Sequence, residues 1–291
     1  MKKNFIVLCL VLLFAVQIQA QEFDAILPDV ALLSTPVQAQ EVQTFEYQRF
    51  RLGVEAGVGF LDGTTVVPVA VRENQSYYYD DYYYRDYYYC GYVNDYHTVP
   101  HYYVGVKPEF SLNNSISLAA GLRFLFSNST LNSDKDYFLW KVSENDLTTN
   151  YVRVKDVKQN NFYVGIPLEM TVYTYKRDVI VRHYFRGGVN FNFLLASKTT
   201  PYFENATMNK YADKITNDIN EKDFFTPLAF VGMGLKIGRM NRPFGTVELR
   251  IPFVMKGNTS FSSFVNSSVG VELQTAIYIP MGKKKMTCIY D

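Results

Sequence analysis

The chain has 291 residues, 48% of them hydrophobic and 16% aromatic, with 29 Lys and Arg against 28 Asp and Glu. A net charge of +1, with basic residues spread along the whole length, excludes the concentrated basic surface that nucleic-acid binding needs. Three cysteines, Cys9, Cys90 and Cys288, are too few for a disulfide framework.

At the N-terminus, Lys2 and Lys3 precede an apolar run from Phe5 to Val16, and Ile18-Gln19-Ala20 stands before Gln21. This is the layout of a secretory signal peptide, with cleavage expected after Ala20. Gln38-Ala39-Gln40 imitates that site but lies too far from the apolar run. Cys9 would leave with the leader, and its Ile6-Val7-Leu8 context is not a lipoprotein acceptor. The run is too short to span a bilayer as a helix, and no later stretch reaches the ~18 apolar residues required, so membrane insertion must use strands. Residues 21–46 are expected as a periplasmic N-terminal segment.

From residue 50 the pattern has period two. Phe50, Leu52, Val54, Ala56, Val58 and Phe60 alternate with Arg51, Gly53, Glu55, Gly57 and Gly59. Tyr102 to Leu112 and Ile116 to Phe126 repeat it, with Asn113 and Asn114 at the turn between them. Further copies run from Phe162 to Thr174, Phe185 to Leu195 and Ala229 to Ile237. Two more occupy Val247 to Phe253 and Val269 to Tyr278. Strands of about 11 residues, tilted by ~45°, rise roughly 25 Å, the height of an outer-membrane apolar band. Connections alternate long and short: 61 to 101, 113 to 115, 127 to 161, 175 to 184, 196 to 228 and 238 to 243, with 257 to 267 intermediate. Phe50, Phe60, Tyr102, Phe110, Phe126, Phe162, Phe185 and Phe253 lie towards strand ends, as aromatic girdles should. The reading is an all-β protein, an eight-stranded antiparallel up-and-down transmembrane β-barrel with long extracellular loops. It spans 47–281, with a basic tail over 282–291, and the expected location is the outer membrane of a Gram-negative-type bacterium.

The stretch Phe162-Tyr163-Val164-Gly165-Ile166-Pro167-Leu168-Glu169, followed by Arg186-Gly187-Gly188-Val189-Asn190, resembles the eight-stranded outer-membrane barrels of the OmpA and OmpX type, and more closely the PorT-like barrel domains. The resemblance covers about 47 to 281. It implies the barrel fold and, through the PorT-like domains, a role as accessory subunit of an envelope secretion or assembly complex. The chain departs from many members by continuing past its last strand through Lys283-Lys284-Lys285 to Asp291.

Eight strands leave an interior that side chains fill, which disfavours a diffusive pore. The inward set holds Arg51, Lys107, Arg123, Arg186, Lys236 and Arg250 with Glu55, Glu109, Glu169, Glu248 and Glu272, nearly balanced in sign. An unpaired charge there costs several kcal/mol, so a charge network across the lumen is expected, with a gated ion path as the alternative. In the first loop, Tyr77, Tyr78, Tyr79, Tyr82, Tyr83, Tyr84, Tyr87, Tyr88, Tyr89 and Tyr92 form a partner-binding candidate. Tyrosine offers a rigid amphipathic face at low entropic cost; low-complexity sequence packing on itself or on the rim is the bland reading. Tyr137 to Val142 with Tyr151 to Val154 suggest a hairpin above the membrane. Met208, Tyr211, Ala212, Ile215 and Ile219, after Asn205, suggest a short amphipathic helix. His97 and His101 fall in or beside the first loop and His183 in a periplasmic turn, so they are not expected to converge. No Ser-His-acid arrangement, metal-ligand spacing or phosphate loop is legible. The expected protein is non-enzymatic, without cofactor or metal. Its expected partners are outer-membrane lipid, an extracellular protein or glycan, or other envelope proteins, and not nucleic acid; a small channel is the less favoured alternative.

Overall fold

The computed structural model describes residues 50–72, 96–113, 115–133, 136–145, 148–174, 180–219, 223–238, 242–255 and 261–281. Among these residues eleven strands form one antiparallel sheet that closes on itself. Its wall has eight staves: β1 (Phe50–Thr65), β3 (Tyr96–Ser111), β4 (Ile116–Ala120) continued by β5 (Leu122–Asn132), β7 (Thr148–Tyr173), β8 (Val181–Phe203), β9 (Phe225–Ile237), β10 (Phe244–Val254) and β11 (Val265–Pro280). Sequential staves pair in order, and β1 closes the ring against β11 from Arg51 opposite Pro280 to Thr65 opposite Val265. A bulge at Asp62/Gly63 shifts that last ladder by one residue. Two further strands lie outside the wall: β6 (Phe138–Asn145) pairs with the start of β7, and β2 (Val71–Arg72) pairs with β6.

The alternation explains why this sequence becomes a barrel in lipid. Val54, Val104, Leu168 and Leu249 leave 52, 52, 48 and 50% of their surface exposed, and such residues cover the wall in a continuous band. In water a patch of that size would drive association; against acyl chains it is the favoured surface, and ring closure satisfies the wall's ladder hydrogen bonds internally. Among the described residues no helix is long and apolar enough to cross a membrane. Phe50 and Phe110 face each other at one rim. At the other, Tyr102 stacks on Phe126 at 5.2 Å and Phe126 on Phe162 at 4.7 Å. These are the two girdles.

Short connections gather at the rim that carries both ends of the wall, and long ones at the other, so the short-turn rim is periplasmic. Asn113 caps one short turn by accepting the backbone N–H groups of Ser115 (2.8 Å) and Ile116 (2.7 Å) through its side-chain oxygen. Gly238 takes φ 124° in another, where a side chain would be strained.

All eight expected strands are present, but most are longer than their hydrophobic pattern. β3 starts at Tyr96 rather than 102, β5 continues to Asn132, β8 begins at Val181, and β7 and β8 reach 26 and 23 residues. A crossing needs only ~9–11 residues, so these strands project well beyond the outer girdle. The expected hairpin forms there as β6 with β7. The expected helix follows Asn205 as a 3-10 turn (Ala206–Tyr211) and α1 (Ala212–Asp218), with the Asn205 side chain accepting from the Thr207 N–H at 3.0 Å. Ile215 and Ile219 are buried, in one cluster with Trp140, Phe138, Leu131 and Val157.

Candidate functional site

The lumen is filled in three levels. At the extracellular level an apolar plug joins Leu61, Val99 and Leu131 from the wall to Trp140, Ile215, Phe261 and Phe264 from the loops. The plug is tied down by polar contacts. Asn161 donates to the Phe261 carbonyl at 2.7 Å, Ser127 to the same carbonyl at 3.1 Å, and Ser262 to Ser129 at 2.7 Å. At the periplasmic level Tyr173, Tyr184, Phe244, Ala276 and Tyr278 form a second, smaller cluster.

Between them lies a cross-linked charge layer. Alternation turns Glu169 of β7 inward, where its carboxylate meets Lys107 Nζ at 2.6 Å, Arg250 Nη1 at 3.1 Å, Arg123 Nη2 at 3.2 Å and Arg186 Nε at 3.7 Å. Glu55 of β1 takes Lys107 and Arg123, both at 2.8 Å, and accepts from Gln274 at 3.0 Å. Glu248 of β10 holds Arg186 at 2.8 Å and Arg250 at 2.5 Å. Glu109 holds Arg51 at 2.7 Å, and Glu272 lies 3.7 Å from Arg250 and accepts from the Tyr103 hydroxyl. Several of these contacts skip staves: Lys107 on β3 reaches β7, and Arg250 on β10 reaches β7 across β8 and β9. The layer therefore ties opposite walls together. Lys236 is the member of the expected set that is not brought in: it is buried, but its Nζ has no hydrogen-bond partner among the described residues and sits 5.2 Å from the Phe244 ring centroid.

Neutral partners complete the layer, and period-two reading alone does not single them out. Tyr184 donates to Glu248 at 2.8 Å, and Arg186 donates to Thr171 at 2.7 Å and Tyr278 at 3.2 Å. Glycines opposite the tyrosines make the room. A Cβ on Gly57 would sit 2.3 Å from Tyr103 Cζ, and one on Gly234 2.5 Å from Tyr184 Cζ. The glycine on an inward face is thus the one legible sign of a bulky lumen residue on the next strand. Arg182, fully buried with its guanidinium carbon 4.9 Å from the Tyr173 ring, is a further lumen cation in the segment read as a turn.

The histidines correct that same boundary. His101 lies inside β3, buried in the lumen with Nε2 3.5 Å from Glu272, and His183 is exposed in β8, opposite Leu235, rather than in a turn. His97, five residues beyond the girdle position Tyr102, is held below the usual histidine range by burial. His183 lies at the opposite end of the wall from the other two, so the three do not converge. Among the described residues no three His, Cys, Asp or Glu side chains group as metal ligands. The tyrosine segment Tyr77–Tyr92 lies outside the described residues, as do residues 1–20, expected as a signal peptide, residues 21–46 and the basic tail.

Solved structures with a similar course include the N-terminal β-barrel domain of Pseudomonas aeruginosa OprF (9% identity, TM-score 0.33, covering 80% of this chain and 100% of that one). They also include the neisserial surface protein NspA (9%, 0.36, 80% and 97%) and P. aeruginosa OprG (8%, 0.36, 83% and 98%). No curated protein matches the chain. The sequence pattern of the family described as outer membrane protein beta-barrel domain matches residues 38–264, from ahead of β1 to the edge of β11. With that match over most of its length, and with a closed eight-stave wall, apolar outside and charged within, the chain belongs to the outer-membrane β-barrel domain family and resides in the outer membrane of a Gram-negative bacterium.

Proposed function

We propose that this protein is a non-conducting, non-enzymatic barrel that works by binding a protein or glycan at the cell surface, with Tyr77–Tyr92 as the principal contact. The observation that carries the reading is the filled lumen. Among the described residues, a charge layer with contacts down to 2.5 Å fills the lumen between an apolar plug and an aromatic floor, which supports a role at the rim rather than through the barrel. The rim is built to hold something still. β5, β6, β7 and β8 form a continuous ladder beyond the girdle, α1 packs on it through Ile215, and Trp140 donates to Asp218 at 3.2 Å. The first loop starts from this platform, because Val71 opposes Trp140 and is buried in the plug, six residues before Tyr77.

Deleting residues 77–92 tests the proposal. Binding of intact cells to host or bacterial protein and glycan targets is expected to be lost while heat-modifiable migration of the folded barrel is retained; unchanged binding refutes the assignment. Stoichiometric envelope proteins co-purifying in mild detergent, independently of that loop, would instead favour the accessory-subunit role that the PorT-like resemblance implies.

A further inference from the structure

Outside the lumen, on the lipid-facing side of β5, β7 and β8, lies a groove of about 650 Å³ that the surface-binding reading does not use. Its floor is the outer girdle, Phe126 beside Phe162 at 4.7 Å, with the small Ala196 opposite Phe162 opening the wall. One row outward the outward residues change character. Asn128 opposes Asn160, and Asn160 opposes Lys198. In the next row Thr130 opposes Lys158 and Lys158 opposes Thr200. Lys158 and Lys198 are therefore diagonal neighbours on adjacent strands, ~7–8 Å apart along the backbone, both exposed and both pointing away from the barrel. Lys158 is held in place by the Tyr202 ring, 4.8 Å from its Nζ. None of the residues lining the groove is acidic.

We propose that this groove seats a phosphate group of an outer-leaflet lipid, with Lys158 and Lys198 as its cationic clamp and Asn128 and Asn160 as amide donors. The position decides the occupant. Aromatic girdles mark the boundary between acyl chains and headgroups, so a groove with an aromatic floor and a cationic upper wall meets acyl chain and phosphate together. Two lysines on diagonal positions repel, and an anion between them removes that cost. The amide side chains add directional donors that fix a phosphate oxygen rather than diffuse negative charge. The proposal is independent of the tyrosine loop.

The test uses the purified full chain in neutral detergent and follows the temperature at which the folded band is lost. The probes are lipid A carrying its phosphates, the same lipid dephosphorylated, and inorganic phosphate. Phosphorylated lipid is expected to raise that temperature, and the other two probes are not. Lys158→Ser with Lys198→Ser should melt as the wild type does without lipid, because both side chains are exposed, and should bind phosphorylated lipid about 25-fold more weakly, roughly fivefold for each lysine. Native mass spectrometry of retained lipid supplies the second readout. Equal protection by dephosphorylated lipid, full protection by inorganic phosphate, or undiminished retention by the double variant would each overturn the assignment.

Discussion

Replacing Glu169 by Gln is the most informative single change, because it keeps the side chain's shape and removes one charge from the centre of the lumen. The wild-type layer sets four cations, Lys107, Arg123, Arg186 and Arg250, against four carboxylates, Glu55, Glu169, Glu248 and Glu272, all with side chains no more than 4% exposed. Glu169→Gln leaves four cations against three anions among buried side chains. Removing one partner of a buried pair costs about 3–5 kcal/mol. For a domain of this size each kcal/mol moves the midpoint by about 2–4 °C, so the folded band on unboiled gels is expected to disappear roughly 6–20 °C below the wild type. The internal control is the rim pair Arg153 and Glu204, 3.3 Å apart but each 44% exposed. Exposed pairs are worth at most about 1 kcal/mol, so Arg153→Gln should lower the midpoint by no more than ~4 °C. Adding Arg250→Met to Glu169→Gln should restore part of the loss, since it removes one of the uncompensated cations. A Glu169→Gln variant that melts no lower than Arg153→Gln would refute the buried network as the element that braces the wall.

Three further outcomes follow from the same geometry. Trp140 is the sole tryptophan and is fully buried in the extracellular plug, so its emission should be blue-shifted and nearly insensitive to iodide in the folded barrel; efficient quenching would mean that the plug is open. Gly57→Leu should drive Tyr103 out of its place against Glu272 and Gln274 and cost about 1–3 kcal/mol by overpacking, read as a lower melting temperature. Gly57→Leu should cost less in a Tyr103→Gly background than in the wild type, and an equal cost in both backgrounds would count against steric conflict as the cause. Finally, an eight-stave wall with its short turns in the periplasm predicts that an impermeant thiol reagent on intact cells labels Cys90, which falls between β1 and β3 in sequence, and spares Cys288, which follows β11; labelling of both would break the strand count.

The wall was legible because lipid and lumen impose opposite solvents on successive residues. Phe50 to Phe60 shows both solvents within eleven positions. The same cause hid the strand ends. Past the girdle, polar headgroups and water replace acyl chains outside the barrel, so Asn128, Thr130, Asn160 and Lys158 point outward where Phe124 and Phe126 do below, while the backbone ladder continues unbroken. A reading tuned to hydrophobic alternation stops where the ladder does not, and so it placed His101 in a loop and Arg182 and His183 in a turn. The pairing inside the lumen was hidden for another reason. Alternation says that Glu169 and Arg250 both face inward, but that they meet at 3.1 Å depends on the closed ring bringing β7 and β10 together across the lumen, which no local pattern encodes.

That separation between what the wall encodes and what the lumen requires bears on where function can sit. Each wall residue meets one requirement locally, apolar against lipid or small and polar against the lumen, so the wall tolerates exchange between residues of one kind. The charge layer does not, because Glu169 has four cationic neighbours on four different strands, and any change of sign leaves a buried charge without a partner. Opening such a lumen to a ligand or an ion would unpair groups that brace opposite staves, which is the physical ground for the proposed non-conducting role. The outward-facing side chains have no such double duty: Asn128, Asn160, Lys158 and Lys198 can change without unpairing anything in the interior, whereas their inward neighbours Ser127, Ser129 and Asn161 hold the plug. Under the surface-binding role proposed above, variation that tunes recognition belongs on those outward-facing positions, on a barrel whose interior is constrained by electrostatics.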